Sequence, residues 1–529
     1  MNVPPLRARR ASLVLLLTLL CAVPAARAQT APPPDFDRYV ASVLDAFDVP
    51  GMAVAIVKDG EVVLERGFGV RDMERPTPVD AHTLFGIASN TKAFTATALA
   101  MLVEDGRLAW DEPVVRYMPD FALSDPYVTA HLTVRDLLAH RSGLSLGAGD
   151  LLWWPANTLP ASVTVEHLRR VPLATSFRST YAYDNMLFVT AGQLVERVSG
   201  QTWEAFVRAR ILTPLGMTET VVSPPEGLAR PNVARPHAPV DGVVRPVPAF
   251  DGTNGNAAAG IMSNAHDITR WLQVQLDSGR VAPDRRLFEA ATTNELWGLV
   301  MPIPIPPGEP ELAALRPQFS GYALGFFVRD YRGVKTVQHT GGLPGFLSQV
   351  MLVPGLDLGI AVFTNQESAP AFRAVTQYVV DHYMGAPRTD WIAAYEAVTA
   401  RQHARVEEAE RATAAARDAS AGPSLPLASY AGRYEDPWYG EVSIVQEGGG
   451  LVMRFAHTPE LVGDLEHWQH DTFLVRWHDR ATRADAFVTF ALRPDGTIAE
   501  ARMEPASPAV DFSFDFQDLV LRPVEGATP

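Results

Sequence analysis

Lysine is scarce in this chain. Of its 45 basic residues only Lys58, Lys92 and Lys335 are lysine, and the rest are arginine. A guanidinium does not give up its proton, so wherever a permanent surface cation serves, the chain carries one that cannot act as a base. A lysine retained against that bias is a candidate chemical group, and Lys92 stands three residues after a serine in Ser89-Asn90-Thr91-Lys92. Cysteine is scarcer still. The single one, Cys21, falls in an N-terminal leader, so the mature chain is expected to have neither disulfides nor thiol chemistry. The thirteen histidines form no HExxH or HxxxH pattern, and neither a catalytic metal nor a cofactor is expected. Beyond the leader no apolar run reaches the ~18 residues needed to cross a bilayer. The net charge of −15 argues against nucleic acid and anionic membrane surfaces as partners.

The leader itself reads as a signal peptide over residues 1–28. Arg7, Arg9 and Arg10 precede the apolar run Leu13 to Val23, and Ala26-Arg27-Ala28 offers a small-x-small cleavage site. Cutting after Ala28 removes four arginines and takes the net charge from −15 to −19. A secreted or periplasmic protein is expected.

The serine and lysine are placed for chemistry. An apolar approach, Leu84-Phe85-Gly86-Ile87, leads to Ser89, and Lys92 to Val103 is rich in helix formers and closed by Glu104-Asp105-Gly106. On a helix the two side chains share a face one turn apart, so a desolvated, neutral amine could take the serine proton. At a helix N-terminus the free N–H groups and the dipole favour developing negative charge. The same residues also fit a serine N-cap and a solvated helix lysine. Tyr183-Asp184-Asn185 precedes an amphipathic stretch, Met186 to Val198, and His339-Thr340-Gly341-Gly342 leads into the strand-like Ser348 to Val353.

In these elements the chain resembles the penicillin-recognising serine hydrolases of the class C β-lactamase type, which include DD-peptidases, D-aminopeptidases and family VIII esterases. The likeness rests on SxxK at Ser89 to Lys92, YxN at Tyr183 to Asn185, and HTG at His339 where many members have KTG. It is supported by Leu137 to Leu144 and by Gly260-Ile261-Met262-Ser263 ahead of Asp267, and it runs from about Phe36 to Met384. The resemblance implies two-step acyl transfer from a small-molecule or peptide substrate, first to Ser89 and then to water or another nucleophile. Ser89 would be the nucleophile, and Lys92 and Tyr183 would share the proton work, the phenol's ionisation favoured by the nearby cation. Ser89 and Gly342 N–H groups would form the oxyanion hole, and Asn185, His339, Thr340, Gly341 and Gly342 would bind substrate. A histidine in place of the KTG lysine titrates near pH ~6.5 and so carries only partial charge, which makes a strong β-lactamase unexpected. Peptide, amide or ester hydrolysis is favoured. An acyltransferase or cyclising thioesterase on the same site, or an idle penicillin-binding protein, are the alternatives. Loops around Leu151 to Pro160, Pro225 to Phe250 and Met301 to Pro317 are expected to wall the pocket.

The fold class read from this pattern is α+β. An antiparallel sheet flanked by helices, with a helical region, is expected over residues 34–385, beginning with a hairpin turned at Asp59-Gly60 and closing with strands about Pro354-Gly355. Residues 386–424 read as a helical linker. Residues 425–525 change to short alternating strands, Gly440 to Gln446, Leu451 to Ala456, Thr472 to Trp477, Ala486 to Leu492 and Ile498 to Met503, which suggest a small antiparallel β-barrel resembling a lipocalin-like domain. Its aromatic residues, Tyr434, Trp438, Tyr439, Trp468 and Trp477, are assigned to the barrel core rather than to a site.

Overall fold

The computed structural model describes residues 31–524, so the leader over 1–28 lies outside the described residues. An eight-stranded antiparallel sheet organises the first two thirds of the chain. Its strands are β1 (Gly51–Lys58), β2 (Glu61–Gly69), β3 (Met301–Pro302), β4 (Ser320–Tyr322), β5 (Phe327–Tyr331), β6 (Val334–Leu343), β7 (Phe346–Val353) and β8 (Leu358–Thr364), in the order β2-β1-β8-β7-β6-β5-β4-β3. The expected hairpin at Asp59-Gly60 and the closing pair about Pro354-Gly355 are both present.

β1 is an unbroken apolar run because both of its faces are covered. Met52, Val54 and Ile56 join a core with helices α1 (Phe36–Ala46), α5 (Ala369–Met384) and the start of α6 (Trp391–Ala415), while Ala53, Ala55 and Val57 join a second core on the opposite face. The second core holds α2 (Thr91–Glu104), α3 (Met186–Ser199) and α4 (Ala265–Leu276), with Phe94 of α2 stacked on Trp271 of α4, 3.8 Å between ring centroids. α2 is buried all round from Thr91 to Leu102, which is how an apolar helix without a polar face must sit.

α6 is the long polar helix read from Asp390 to Ala416. Beyond it the chain forms a second antiparallel sheet of eight strands: β9 (Gly432–Asp436), β10 (Gly440–Glu447), β11 (Gly450–Phe455), β12 (Val462–Gln469), β13 (Thr472–Trp477), β14 (Ala486–Leu492), β15 (Ile498–Pro505) and β16 (Arg522–Pro523). They run β15-β14-β13-β12-β11-β10-β9-β16, and the bridge from Ala501 to Leu521 brings the two ends together into a nearly closed barrel. Three of these strands, β9, β12 and β16, add to the five read from the sequence. Tyr434, Trp438, Tyr439 and Trp477 are buried in the barrel as expected, whereas Trp468, also assigned to the core, is only half-buried and lies under the Arg417 guanidinium. The barrel residues continue the core that holds α2 and α3.

Candidate active site

Ser89 lies in a tight turn, Ala88–Asn90, that enters α2 directly. Ala88 adopts a left-handed conformation, φ 48°, an unfavourable backbone for a residue with a Cβ. The turn is held from outside. Asn90 Nδ2 donates to Ser348 Oγ at 2.8 Å, and that hydroxyl donates to the Ile87 carbonyl at 2.7 Å. The short ribbon pairing Phe85–Gly86 with Met262–Ser263 fixes the approach, so the GIMS segment serves the serine turn. Ser89 does not cap the helix: the cap position belongs to Asn90, and the Ser89 hydroxyl faces Lys92 instead.

Lys92 is completely buried. Its Nζ lies 2.9 Å from Ser89 Oγ, 2.8 Å from Asn185 Oδ1 and 3.1 Å from the Ala258 carbonyl, and 5.0 Å from the Tyr183 ring centroid. Burial pulls its pKa down to about 7, against the opposing pull of Asp150 and Asp184. The partners then decide where the lone pair goes. Asn185 Oδ1 and the Ala258 carbonyl can only accept, so together they use both hydrogens of a neutral amine. What remains is a lone pair directed at the Ser89 hydroxyl.

Asn185 is oriented by its other side. Its Nδ2 donates to Asp150 Oδ2 at 2.8 Å, and Asp150 also accepts from Trp153 Nε1 at 3.0 Å and from Ser513 Oγ at 2.8 Å. Burial raises the Asp150 carboxyl to about 7, opposed by these three donors. Asp184 Oδ1 accepts from Leu187 N and so caps α3, which begins one residue after Asn185.

The Tyr183 side chain is half-buried on the cavity wall, its phenol beside the Ser89 side chain and its ring 4.4 Å from that of His140. Burial pushes its pKa well above the ordinary value. This corrects the expectation of a phenol whose ionisation is favoured by a neighbouring cation: burial outweighs the partly charged amine, and the phenol keeps its proton.

His339 is corrected as well. It is 3% exposed, and both ring nitrogens are engaged within the protein. Nδ1 lies 2.5 Å from the Thr340 carbonyl, an acceptor, so Nδ1 carries the hydrogen. Nε2 is then the acceptor for the Tyr322 hydroxyl at 2.9 Å. Burial takes the imidazole pKa down to about 3, so the ring is neutral where partial charge was expected.

These groups border a cavity of about 360 Å³. Ser89, Tyr183, Asn185, His339, Thr340 and Gly342 all reach it. Gly341 does not. A Cβ there would stand 2.2 Å from the Ile87 carbonyl, so this glycine lets β6 pass against the serine turn. Trp153 and Trp154 form one wall, as the 151–160 loop was expected to, but the loops at 225–250 and 301–317 contribute no lining residue. Their place is taken by Tyr181 and Phe327 and by Asp511, Phe512 and Ser513 from the far end of the chain. Phe512 packs edge-on to Tyr183, 6.1 Å between centroids. Among the described residues Asp511 is the one formally charged side chain on the lining, and no arginine or lysine is on it.

A second serine pattern, Gly143-Leu144-Ser145-Leu146-Gly147, spells GxSxG but is no nucleophile elbow. Ser145 Oγ is bound to Asp518 at 3.1 Å, and the segment lies between turns rather than between a strand and a helix. Among the described residues no group of histidine, cysteine and carboxylate side chains could hold a metal ion, and no helix is long and apolar enough to cross a membrane.

Comparison with known proteins agrees with this architecture. Residues 36–383 match the family described as Beta-lactamase, and residues 416–523 match a domain of unknown function, DUF3471. The chain is 30% identical over 502 residues to "Unguisins hydrolase ungD" of Aspergillus violaceofuscus, covering 87% of this chain and 86% of that protein. It is also 30% identical over 341 residues to "Penicillin-binding protein 4" of Amycolatopsis lactamdurans, covering 61% of this chain and 83% of that one. Among solved structures, the octameric penicillin-binding protein homologue from Pyrococcus abyssi superposes with a TM-score of 0.60 at 21% identity, over 92% of this chain and 99% of that chain. The chain therefore belongs to the β-lactamase and penicillin-binding-protein family of serine hydrolases, carrying a DUF3471 domain at its C-terminal end.

Proposed function

We propose that this protein hydrolyses peptide, amide or ester bonds through an acyl-enzyme on Ser89. The observation that carries the reading is the Lys92 amine, 2.9 Å from Ser89 Oγ with its other two contacts both acceptors. Ser89 attacks the substrate carbonyl as its proton passes to the Lys92 lone pair. The tetrahedral oxyanion rests on the Ser89 and Gly342 N–H groups, each such donor being worth about 10² to 10³ in rate. The protonated Tyr183 phenol donates to the leaving nitrogen or oxygen as the carbon bond breaks, and Lys92 returns its proton to the phenolate. In the second step water attacks the acyl-enzyme, losing a proton through the same pair, and Ser89 recovers its own as the acid departs.

The cavity favours substrates without a carboxylate near the reacting bond. The imidazole at the KTG lysine position is neutral and tied up, no arginine or lysine among the described residues lines the cavity, and Asp511 stands at its mouth. The aromatic walls suit an apolar acyl group. Activity on β-lactams is weak at most. The ungD relative is a hydrolase by name, which supports transfer to water over transfer to an amine. Delivery outside the cytoplasm rests on the leader over 1–28, and N-terminal sequencing of the mature protein should begin at Gln29.

Reaction with a fluorophosphonate followed by mass mapping tests the nucleophile. An adduct on the peptide containing Ser89, abolished in Ser89→Ala, supports the reading; an unlabelled wild-type protein, or an adduct elsewhere, refutes it. A panel of p-nitrophenyl esters, D-aminoacyl amides and nitrocefin then ranks the substrate classes, with nitrocefin expected last.

A further inference from the structure

We infer that Asp150 and Ser513 are positioning residues for the Lys92 amine, which makes the C-terminal barrel domain a working part of the acylation site. The inference rests on the function proposed above and deepens it. Ser513 Oγ donates to Asp150 Oδ2 at 2.8 Å, the same oxygen accepts Asn185 Nδ2 at 2.8 Å, and Asn185 Oδ1 meets Lys92 Nζ at 2.8 Å. With Asp150 ionised, the chain of bonds has one sense only. An ionised carboxylate offers no hydrogen, so Asn185 must turn its N–H to Asp150 and its oxygen to Lys92. A flipped amide would present N–H to the amine and take away the acceptor that directs the lone pair to Ser89.

Ser513 favours the ionised form of the carboxyl against the burial that raises it. Asp150 is fully buried, and a buried carboxyl gains by protonation unless donors stabilise its charge. Three donors do so here: Trp153, Asn185 and Ser513. The segment that supplies Ser513 is itself fastened to the catalytic domain, since Asp515 accepts from Gly149 N at 2.7 Å and Leu151 N at 3.0 Å, on either side of Asp150. The other titratable groups around Lys92 and Asp150 are Asp184 ahead of α3, Asp515 and Asp518 of the C-terminal segment, the phenol of Tyr183, and the neutral rings of His140 and His339.

Two readouts on the full-length protein test this. The first is the pH profile of fluorophosphonate labelling. The second is the titration of Lys92 followed by NMR of isotopically labelled lysine, which three lysines make assignable by loss of one signal in Lys92→Met. Asp150→Asn removes a negative charge near the ammonium, so the Lys92 midpoint should fall by about one unit. With Asn185 free to flip, labelling should slow by about ten- to a hundredfold. Ser513→Ala should move both in the same direction by less, because Asp150 then takes up a proton, and Ser513→Thr should restore them. Unchanged Lys92 midpoints in Asp150→Asn and Ser513→Ala overturn the inference, as does a uniform loss of rate with no shift. Should Asp150→Asn fail to fold, the Ser513→Ala and Ser513→Thr pair still decides. If Ser89 does not label but the Lys92 midpoint moves as stated, the proposed function fails and the positioning role stands.

Discussion

The chemistry of a lysine here depends on what its neighbours cannot do. Lys92 is surrounded by acceptors and starved of water, so its uncharged form is the one that fits. A base that must be neutral gives a rate that rises with pH, and the acid limb of acylation should lie near the Lys92 value of about 7. His339→Gln should leave that midpoint in place, because the imidazole is already neutral throughout the range; a displaced limb in stopped-flow acylation would contradict this. Lys92→Arg keeps a cation and loses the base, and should lower the labelling rate by about 10² to 10⁴ while Ser89 remains present. The scarcity of lysine made this residue legible in the sequence. Ala258, Asp150 and Ser513 were not legible, for a physical reason. Ala258 acts through a backbone carbonyl that every residue has, and Ser513 reaches Asp150 across 363 positions without any pattern that spacing could reveal.

Elements reveal themselves in sequence to the extent that burial dictates their composition. The serine helix, β1, β7 and β8 are apolar and buried, and the serine helix and the turns at Asp59-Gly60 and Pro354-Gly355 stand where the sequence placed them. β9 and β12 are different. Gly432–Asp436 carries one apolar inward side chain, Tyr434, and Val462–Gln469 alternates Gly463 and Leu465 with Asp464 and Glu466, so neither has the density of apolar residues that marks a strand. The packing of β6 on the serine turn gives a contrast within two adjacent glycines. At Gly341 a methyl group would meet the Ile87 carbonyl at 2.2 Å and the Ser348 hydroxyl at 2.6 Å, whereas at Gly342 it would meet only Leu347 Cδ2 at 3.1 Å. Gly341→Ala should therefore cost about 1 to 3 kcal/mol and displace the Ser89 turn, with a lower melting temperature and poor labelling. Gly342→Ala should leave the melting temperature close to that of the parent, which differential scanning fluorimetry of the pair would check.

At the scale of the molecule, the sequence divides into a hydrolase domain, a linker and a barrel, but the forces do not respect that division. One continuous apolar cluster runs from α2 and α3 into the barrel, and Phe514 packs against Trp154 with 6.3 Å between centroids. Two folding units that share a core lose it together, so calorimetry of the full chain should show one cooperative transition rather than two. The fastening at Asp515 makes this testable by a single side chain. Its carboxyl oxygens take the N–H groups of Gly149 and Leu151 in the buried interface, and Asp515→Ala leaves both donors without partners. The cost should be about 2 to 4 kcal/mol. If the chain unfolds as one body, the whole transition moves to lower temperature and Ser89 labelling falls with it. If the barrel is an independent appendage, Asp515→Ala would instead split the endotherm and leave labelling at the parent rate, and the barrel would then have no part in holding the site.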